Sequence, residues 1–227
     1  MEILPIAHFR SPLKSKFGIP RQSGLAESLT GSIVFEPPYR HVEALRGMED
    51  FDYLWLIWEF SENRGEGNLT VRPPRLGGNQ RMGVFATRSP FRPNGLGLSC
   101  VRFDHWEEDP KLGPVIYVKG ADLMDGTPIY DIKPYVVYAD SHPEAKSGFV
   151  DQTEWKSLEV YIPDHLARLF SPTDLEALRQ TLTLDPRPSY HHDAQRIYGM
   201  PFGCYDVRFL VDGPVLKVVD CIESSSP

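Results

Sequence analysis

The sequence has few cysteines and no long apolar segment. Of its 227 residues only 3 are cysteine, namely Cys100, Cys204 and Cys221, and no two have the spacing of zinc ligands. An odd number of widely spaced cysteines argues against a disulfide framework and indicates a reducing compartment. The longest apolar run, YLWLIW, is too short to cross a bilayer, and the N-terminus lacks the apolar region of a signal peptide. We therefore expect a soluble, cytoplasmic protein.

Several common catalytic signatures are also missing. The chain has no P-loop, no G-x-G-x-x-G after a strand, no H-E-x-x-H and no G-x-S-x-G. The adjacent His191 and His192 could ligate a metal, but partner ligands at a suitable spacing are lacking. We therefore expect no metal site, and none of the enzyme classes that these signatures mark.

Proline and glycine, in contrast, are abundant, with 21 and 18 residues. This composition favours many short strands and loops over long helices. Strands rich in β-branched and aromatic residues are predicted at 31–37, 51–60, 81–88, 98–108, 114–124 and 126–138. A long loop is predicted over 63–80, and Asp125-Gly126 is a candidate tight turn between the last two strands. Short strands without long helices between them predict a mainly β fold, a single-sheet antiparallel β-barrel.

A polar connector, 139–148, separates this β-rich part from a segment of different character. Beyond it a helix is predicted to begin after Ser171, which would cap it, with Pro172 at the first helical position. The last residues predict a hairpin around Asp212-Gly213. The predicted domains are a β-barrel domain of 1–140, which can extend to about 162, and a small C-terminal α+β lobe of 163–227.

The charge of the chain is unevenly distributed. The net charge is −7, which by itself argues against binding to nucleic acid. Two basic islands nevertheless lie in the N-terminal half, one over 10–21 and one made of arginines alone over 64–92, where Glu66 is the single acid. Such islands attract polyanions whatever the total charge, and arginine suits bidentate phosphate contacts and base stacking. The alternative is an ordinary solvated surface, and the sequence leaves both open.

Three segments are hard to explain as packing alone. The first, 17–25, presents Arg21 and Gln22 on a proline turn. The second, ATRSPFRPNGLGLS (86–99), has two arginines on a backbone that two prolines stiffen and two glycines open to a ligand, as in an anion or base clamp. The third, 121–135, contains aspartates that could hold ribose hydroxyls, a cation or a proton, or could only cap turns. We expect the three to converge on one nucleotide-sized cleft.

Together these segments resemble a known family. PRQSGL, VRPPRLGGNQRMGVFATRSPFRPNGLGLS, DGTPIYDIKPY and DPRPSY are similar to the TsaA-like methyltransferases, the TrmO family of tRNA adenine N6-methyltransferases, in the same segment order. The resemblance implies a β-barrel enzyme that holds S-adenosylmethionine near a homodimer interface. It also implies the substrate, threonylcarbamoyladenosine next to the anticodon of threonine tRNA, which would be methylated at N6.

The resemblance also implies a set of cofactor contacts. They would come from Pro20, Arg21, Gln22, Ser61, Glu62, Arg88, Leu98, Asp122, Leu123, Met124, Asp125, Gly126 and Thr127. Two departures stand out. Gly95-Leu96 replaces the proline and β-branched residue that the family usually carries. Ser61-Glu62 stands where close bacterial relatives have a His-Gln pair, so a contact there would fall to the backbone.

The remaining hypotheses concern catalysis and RNA. A base that removes the N6 proton would help methyl transfer, because that nitrogen's lone pair is delocalised, and Asp122 and Tyr135 are the candidates. RNA contacts are predicted for Arg72, Arg75, Arg81, Arg92, Asn94, Arg187 and Tyr190. Two other classes remain open, a non-catalytic RNA-binding β-barrel and a small-molecule enzyme that acts on nucleotides.

Overall fold

The structure, a computed structural model, describes residues 2–63, 67–153, 156–188 and 193–224. These residues form twelve strands and three α-helices. The strands are β1 (Ala7–Arg10), β2 (Thr30–Phe35), β3 (Tyr53–Glu59), β4 (Thr70–Val71), β5 (Met82–Gly83), β6 (Leu96–Asp109), β7 (Gly113–Lys119), β8 (Pro128–Pro134), β9 (Glu159–Tyr161), β10 (Tyr198–Phe202), β11 (Tyr205–Asp212) and β12 (Val215–Glu223). The helices are α1 (Val137–Asp140), α2 (Asp164–Ala167) and α3 (Pro172–Thr183).

Six strands form one antiparallel sheet that closes on itself, in the order β1-β2-β7-β6-β3-β8. The ring closes where β8 pairs with β1, with Ala7 opposite Ile129 and His8 opposite Pro128. A closed sheet leaves no row of unpaired backbone groups at an edge. The predicted mainly β fold is therefore confirmed, and we refer to this sheet as the six-stranded ring.

The inside of the ring is filled by side chains that alternate along each strand. In β3, Leu54, Leu56 and Trp58 are buried, and the residues between them are more exposed. Successive side chains of a strand point to opposite faces, so these three line the core of the ring. Because β3 pairs with β6 on one side and β8 on the other, the prediction of a central strand at 51–60 is confirmed.

Two predictions about the middle of the chain are wrong. The predicted strand 81–88 is extended only at β5, after which Val84–Ala86 forms a single helical turn. The predicted loop 63–80 contains β4, which pairs with β5 outside the six-stranded ring. The ladder ends after two residues because Pro73 and Pro74 have no N–H to donate beyond β4, and the chain enters a helical turn directly after β5.

The Asp125-Gly126 turn exists but does not join two paired strands. Gly126 has a φ of 80°, and the Thr127 N–H donates to the carbonyl oxygen of Met124 at 3.2 Å. However, β7 ends at Lys119, and β8 pairs with β1 and β3 rather than with β7. The expected hairpin is therefore wrong, and residues 120–127 instead form a loop at one end of the ring.

A second sheet builds the C-terminal lobe, with the strand order β10-β11-β12-β9 and β9 parallel to β12. Helix α3 buries Ala177, Leu178, Thr181 and Leu182, which lie on one face of the helix. The predicted hairpin around Asp212-Gly213 joins β11 to β12. The predicted lobe of sheet and helix is therefore present.

The connection between β1 and β2, residues 11–29, packs on this lobe. Leu13 and Leu29 are fully buried in the lobe's hydrophobic core. The ring of Phe17 stacks with those of Tyr198 and Phe209, at centroid separations of 6.4 and 6.3 Å. The connection is therefore held between the six-stranded ring and the C-terminal lobe.

The start of α3 yields a prediction about stability. Ser171 has the extended backbone of an N-cap, and its Oγ accepts a hydrogen bond from the Asp174 N–H at 3.1 Å. Ser171→Ala should lower the free energy of unfolding in urea by about 1 kcal/mol, because the cap is removed. Ser147→Ala is the control, since that side chain precedes a short turn without capping it, and we expect a change below about 0.5 kcal/mol. Equal losses in the two variants would contradict the assignment.

Candidate functional site

Three segments that are distant in sequence meet at the end of the ring where β3 ends and β6 begins. Arg88 Nη1 donates a hydrogen bond to Gln22 Oε1 at 2.5 Å. The hydroxyl of Ser99 donates to Asp122 Oδ1, also at 2.5 Å. The backbone of Ser23 hydrogen-bonds the same carboxylate. Segments 17–25, 86–99 and 121–135 therefore meet as expected, and the nucleotide-sized cleft between them stays a prediction.

Asp122 is the centre of a chain of hydrogen bonds that starts in the core. Trp58 Nε1 donates to Ser99 Oγ at 2.9 Å, and Ser99 in turn donates to the Asp122 carboxylate. Burial raises the pKa of Asp122, and the bond from Ser99, backbone N–H groups and the charge of Arg88 offset only part of this effect. The result is an oriented carboxylate that binds a proton more tightly than an ordinary one.

Of the two glycines in the 86–99 segment, only Gly97 has a role different from the one predicted. A Cβ on Gly97 would overlap the indole ring of Trp58, so this glycine makes room for the tryptophan and not for a ligand. Gly95 has a φ of 60°, in the left-handed region, and no atom lies within 4 Å of its ideal Cβ position. Open space beside the backbone, which we expected at both glycines, is therefore found only at Gly95.

The two arginines of this segment do not form a clamp. Arg88 reaches Gln22, whereas Arg92 Nη1 donates to the carbonyl oxygen of Thr87 at 3.2 Å and so bonds to its own turn. The clamp prediction is wrong because the carbonyl groups exposed by the proline turn are themselves good acceptors for a guanidinium. Arg88 alone points into the meeting place of the three segments.

Arg21 faces the C-terminal lobe. Burial lowers the pKa of Arg21, the negative charge of Asp185 acts to raise it, and the charge of Arg75 lowers it further. Asp185 also binds Arg187 through two hydrogen bonds, Nε to Oδ1 at 2.9 Å and Nη2 to Oδ2 at 3.0 Å. The start of the DPRPSY motif thus lies beside the 17–25 segment, and its last two residues, Ser189 and Tyr190, lie outside the described residues.

Most side chains of the 122–127 loop are already engaged. Asp125 accepts hydrogen bonds from the Ser11 N–H at 3.0 Å and from Lys14 Nζ at 2.9 Å. Burial acts to raise the pKa of Asp125, but these bonds and the nearby positive charges outweigh it and lower that pKa. Leu123 and Thr127 are buried in the ring. A ligand at this loop could therefore meet Asp122, Met124 and the backbone at Gly126, where no atom lies within 4 Å of the ideal Cβ position.

The other predicted cofactor residues border the same region. The Phe60 N–H donates to the Gly95 carbonyl oxygen at 2.8 Å, which places the following Ser61 and Glu62 beside the 86–99 segment. Lys16 Nζ donates to the carbonyl oxygen of Glu62. Leu98 is 57% exposed, whereas Pro20 is buried.

Tyr135 does not lie with Asp122. Its ring contacts those of Tyr53 and Trp55, at centroid separations of 6.1 and 6.0 Å, on the outer face of β3. Asp122 is linked through Ser99 to the inner face of the same strand. Within one chain the sheet separates the two catalytic candidates, and only Asp122 lies where the three segments meet.

The predicted RNA contacts fall mostly on residues 67–95, which connect β3 to β6 and lie outside the six-stranded ring; we call them the segment outside the ring. Arg72 and Asn94 are exposed. Arg81 Nη1 donates to Thr70 Oγ1 at 3.1 Å, and Arg75 Nη1 donates to the carbonyl oxygen of Val150 at 3.3 Å. Each of these two guanidinium groups is therefore held by the protein at Nη1.

Sequence reasoning missed Ser99 and Trp58 as parts of the site. Both side chains point into the ring, and both are buried. The sequence did contain a signal for Ser99. This serine occupies an inward-facing position of β6, between Gly97 and Val101 on the same face. A buried hydroxyl at such a position needs a hydrogen-bond partner, and here the partner is Asp122.

The fold and the site together define a class of two-lobed β proteins that solved structures also represent. A crystal structure of TrmO from Pseudomonas aeruginosa has a TM-score of 0.79 and 33% sequence identity to this chain, and the match covers 97% of each chain. The tRNA-methyltransferase O N-terminal domain model matches residues 8–141, and the TrmO C-terminal domain model matches residues 158–224. The chain belongs to the TrmO family of methyltransferases.

Two relatives are similar over nearly the whole chain. One, from Pseudomonas aeruginosa, is 40% identical over 228 residues, 96% of each protein, and carries the provisional name of an S-adenosylmethionine-dependent methyltransferase, RcsF. The other, from Escherichia coli, is 37% identical over 215 residues, 91% of each protein, and is named a tRNA (adenine(37)-N6)-methyltransferase.

Membrane spans and metal clusters are both lacking among the described residues. In the part of the chain that the structure describes, no helix has both the length and the apolar character to span a membrane. The same residues contain no cluster of three or more His, Cys, Asp or Glu side chains that could hold a metal ion.

Proposed function

We propose that this protein is an S-adenosylmethionine-dependent tRNA methyltransferase that acts on N6 of threonylcarbamoyladenosine, next to the anticodon of threonine tRNA. Membership of the TrmO family and the names of its relatives support the reaction class. The observation that carries the proposal is the meeting of Gln22, Arg88 and Asp122 at one end of the ring. We further propose that the protein works in the cytoplasm as a homodimer.

The side chains at this place suit the proposed cofactor. S-adenosylmethionine carries a carboxylate, an ammonium group, a sulfonium and an adenine. Arg88 offers a guanidinium to a carboxylate, and Asp122 offers a negative charge to a cationic group. Leu98 and Ser99 are successive residues of β6 and point to opposite faces, so we propose that Leu98 contacts the cofactor through its backbone. When bound, the cofactor supplies an electrophilic methyl group. Backbone contacts from Ser61 and Glu62 would replace the side-chain contacts of close relatives.

Asp122 is the residue that we assign to proton removal. The N6 lone pair is delocalised into the ring and the carbamoyl group, so the nitrogen attacks better once its proton is taken by a base. A carboxylate whose pKa is raised by burial is a stronger base than a solvated one. Ser99 and the Ser23 backbone fix its orientation, so the base needs little rearrangement in the reaction.

The remaining predicted residues are proposed to hold RNA. Arginine that neutralises phosphates makes binding salt-dependent, and the salt slope should fall by about 0.7–0.9 for each phosphate that a substitution leaves without its arginine. The proposed set is Arg72, Arg75, Arg81, Arg92, Asn94, Arg187 and Tyr190. Arg187 and Tyr190 belong to the C-terminal lobe and are proposed to select the tRNA.

The reaction can be tested with purified components. The protein is incubated with threonine tRNA that carries threonylcarbamoyladenosine and with isotope-labelled S-adenosylmethionine, and nucleosides are analysed by mass spectrometry. We expect one labelled methyl group on the modified adenosine and none on tRNA that lacks the threonylcarbamoyl group. RNA binding without cofactor binding would instead favour a non-catalytic RNA-binding protein. Activity on free nucleotides alone would favour a small-molecule enzyme.

Arg88 provides a test of the cofactor site. Arg88→Lys keeps the positive charge but loses the planar fork that bonds Gln22 and that we propose to bond the cofactor's carboxylate. We expect the affinity for S-adenosylmethionine, measured by calorimetry, to fall about tenfold, which corresponds to about 1.4 kcal/mol. Arg46→Lys is the matched control, because Arg46 pairs with Glu43 on an exposed turn away from the site. An unchanged affinity in Arg88→Lys would remove Arg88 from the cofactor site.

A further inference from the structure

The segment outside the ring has an unusual charge. From Gly67 to Gly95 the chain contains five arginines and no aspartate, glutamate or lysine. The whole chain, in contrast, has a net charge of −7. A polyanion is therefore attracted to this segment, although not to the average surface of the protein.

Two phenylalanines of this segment lie open to solvent. Phe85 is 76% exposed and Phe91 is 56% exposed. The chain has twelve phenylalanines, all among the described residues, and the other ten are buried or half-buried. Leu69, at 73% exposure, adds a third apolar side chain to the same segment. Exposed aromatic rings amid arginines are typical of surfaces that bind single-stranded nucleic acid.

Backbone hydrogen bonds place the two phenylalanines close to each other. The Val84 N–H, next to Phe85, donates to the carbonyl oxygen of Leu69 at 3.0 Å. The Asn68 N–H donates to the carbonyl oxygen of Phe91 at 3.2 Å. The residue before Phe85 and the backbone of Phe91 are therefore both hydrogen-bonded to the same two-residue stretch, 68–69. We call Phe85, Phe91 and Leu69 the aromatic patch.

The chain between the two rings is held by its own side chains. Thr87 Oγ1 donates to the Val84 carbonyl oxygen at 2.8 Å and accepts from the Ser89 N–H at 3.3 Å. Ser89 Oγ then accepts from the Phe91 N–H at 3.2 Å. Such local bonds reduce the entropy that is lost when a ligand binds. Arg88, within this same stretch, reaches Gln22 in the candidate site, so the aromatic patch borders that site.

We propose that the aromatic patch is a stacking platform for unpaired bases of the RNA substrate, next to the adenine that is methylated. The proposal rests on the proposed function, which identifies the RNA as an anticodon loop. A loop of this kind presents unstacked bases and phosphates together, and aromatic rings beside arginines match both.

A second copy of the chain is the main rival occupant of the aromatic patch. In a two-fold dimer centred on the patch, the arginine-rich segment of each copy, which has no acidic residue, would face the same segment of its partner. Like charges placed face to face oppose association. The charge therefore favours RNA over a dimer centred on this surface.

The test uses Phe85→Ala and Phe91→Ala in the full chain, with affinity for the anticodon stem-loop measured over a range of salt concentrations. Each substitution should weaken binding by about 5- to 150-fold, the range that corresponds to the loss of one base–aromatic stacking contact on alanine substitution. The salt slope should not change, because every arginine that can neutralise a phosphate is retained. Phe→Trp at each position should restore binding, whereas Phe→Leu should not. Tyr138→Ala, at a tyrosine that is 91% exposed outside the segment, is the control.

Other outcomes would overturn the proposal. Variants that bind RNA normally but change the oligomeric state in sedimentation would show that the patch joins two copies of the chain. Variants that change neither property would show a surface without a partner. If the native protein failed to bind the stem-loop at all, the proposed function would fail together with the platform. If the native protein bound and methylated it while the variants did so equally well, only the platform would fail.

Discussion

Asp122→Asn should lower the rate of methyl transfer by about 100- to 10,000-fold, the usual contribution of a general base, without lowering the stability of the protein at neutral pH. The two effects separate because asparagine has the same shape and accepts the same hydrogen bond from Ser99, but cannot take a proton from N6. Turnover is measured with saturating cofactor and RNA, and stability by urea unfolding.

The stability of this variant follows from the direction of the pKa shift. Burial raises the pKa of Asp122, so the folded state favours the protonated carboxyl group. The stability that this group contributes is fully present below its unfolded pKa, about 3.9, and is lost as the pH rises through the higher folded value. At neutral pH the ionised carboxylate therefore lowers the free energy of unfolding, and a neutral asparagine avoids this loss.

The same shift predicts the pH dependence of the reaction. Only the ionised form of Asp122 can accept a proton, so kcat/KM should fall on the acid side as the carboxylate becomes protonated. Ser99→Ala removes a hydrogen bond that acts to lower the pKa of Asp122. The acid limb of this variant should therefore move to higher pH, a change that a merely structural role of Ser99 would not produce.

Asp125→Asn is the control, because the pKa of Asp125 is shifted in the opposite direction to that of Asp122. Burial acts to raise the pKa of Asp125, but the bonds from Lys14 and the Ser11 N–H outweigh it and hold that pKa below its ordinary value. Its ionised form therefore stabilises the fold at neutral pH, and this stability is lost as the pH falls through the folded pKa. Asp125→Asn should reduce the free energy of unfolding where Asp122→Asn does not. Normal turnover in Asp122→Asn would remove Asp122 as the base.

Local sequence patterns predicted the positions of the strands better than they predicted which strands pair with each other. The alternation around β3 and the turn residues between strands are visible in the sequence because they depend on residues close to each other. The closure of β8 on β1 joins residues more than 100 positions apart, such as Ala7 and Ile129, and no short pattern reports it. The same limit explains the wrong hairpin at Asp125-Gly126, where the turn residues are present but the strands pair elsewhere.

The candidate site was also predicted only in part, because some of its residues stand out locally and others are recognised only by contacts distant in sequence. Arg88, Gln22 and Asp122 stand out in the sequence as polar groups in segments rich in glycine and proline. Ser99 does not, because its partners Trp58 and Asp122 lie 41 and 23 residues away along the chain. Nor does any local signal show that Phe17, beside the predicted cofactor residues, packs on Tyr198 of the C-terminal lobe.

The packing of the 11–29 connection on the C-terminal lobe predicts a large loss of stability when Gly18 is substituted. This glycine has a φ of 94°, in the left-handed region, and a Cβ here would overlap the sulfur of Met200 and lie 2.8 Å from its Cγ. Met200 is fully buried in the core of the lobe. Gly18→Ala should therefore lower the free energy of unfolding by about 2–4 kcal/mol, through left-handed strain and overpacking together. Urea unfolding measures the loss.

Gly24→Ala separates these two causes. Gly24 has a φ of 81°, but no atom lies within 4 Å of its ideal Cβ position, so only the conformational cost of about 1–2 kcal/mol applies. Adding Met200→Ala to Gly18→Ala should recover stability relative to the sum of the two single losses, since the new methyl group then fills vacated space. Additive losses would contradict direct contact between the two positions.

The consequence for binding follows from the position of Gly18 in the chain. Pro20, Arg21 and Gln22 begin two residues later, and Gln22 bonds Arg88 in the candidate site. A displacement at the contact with Met200 should therefore weaken S-adenosylmethionine binding in Gly18→Ala more than in Gly24→Ala, when affinities are compared on folded protein. Equal affinities in the two variants would show that the C-terminal lobe does not support cofactor binding, which would leave it the roles in stability and in the proposed selection of the tRNA. The expected difference would instead make the lobe a support for the cofactor segment, because that segment lies between the lobe's core and the six-stranded ring.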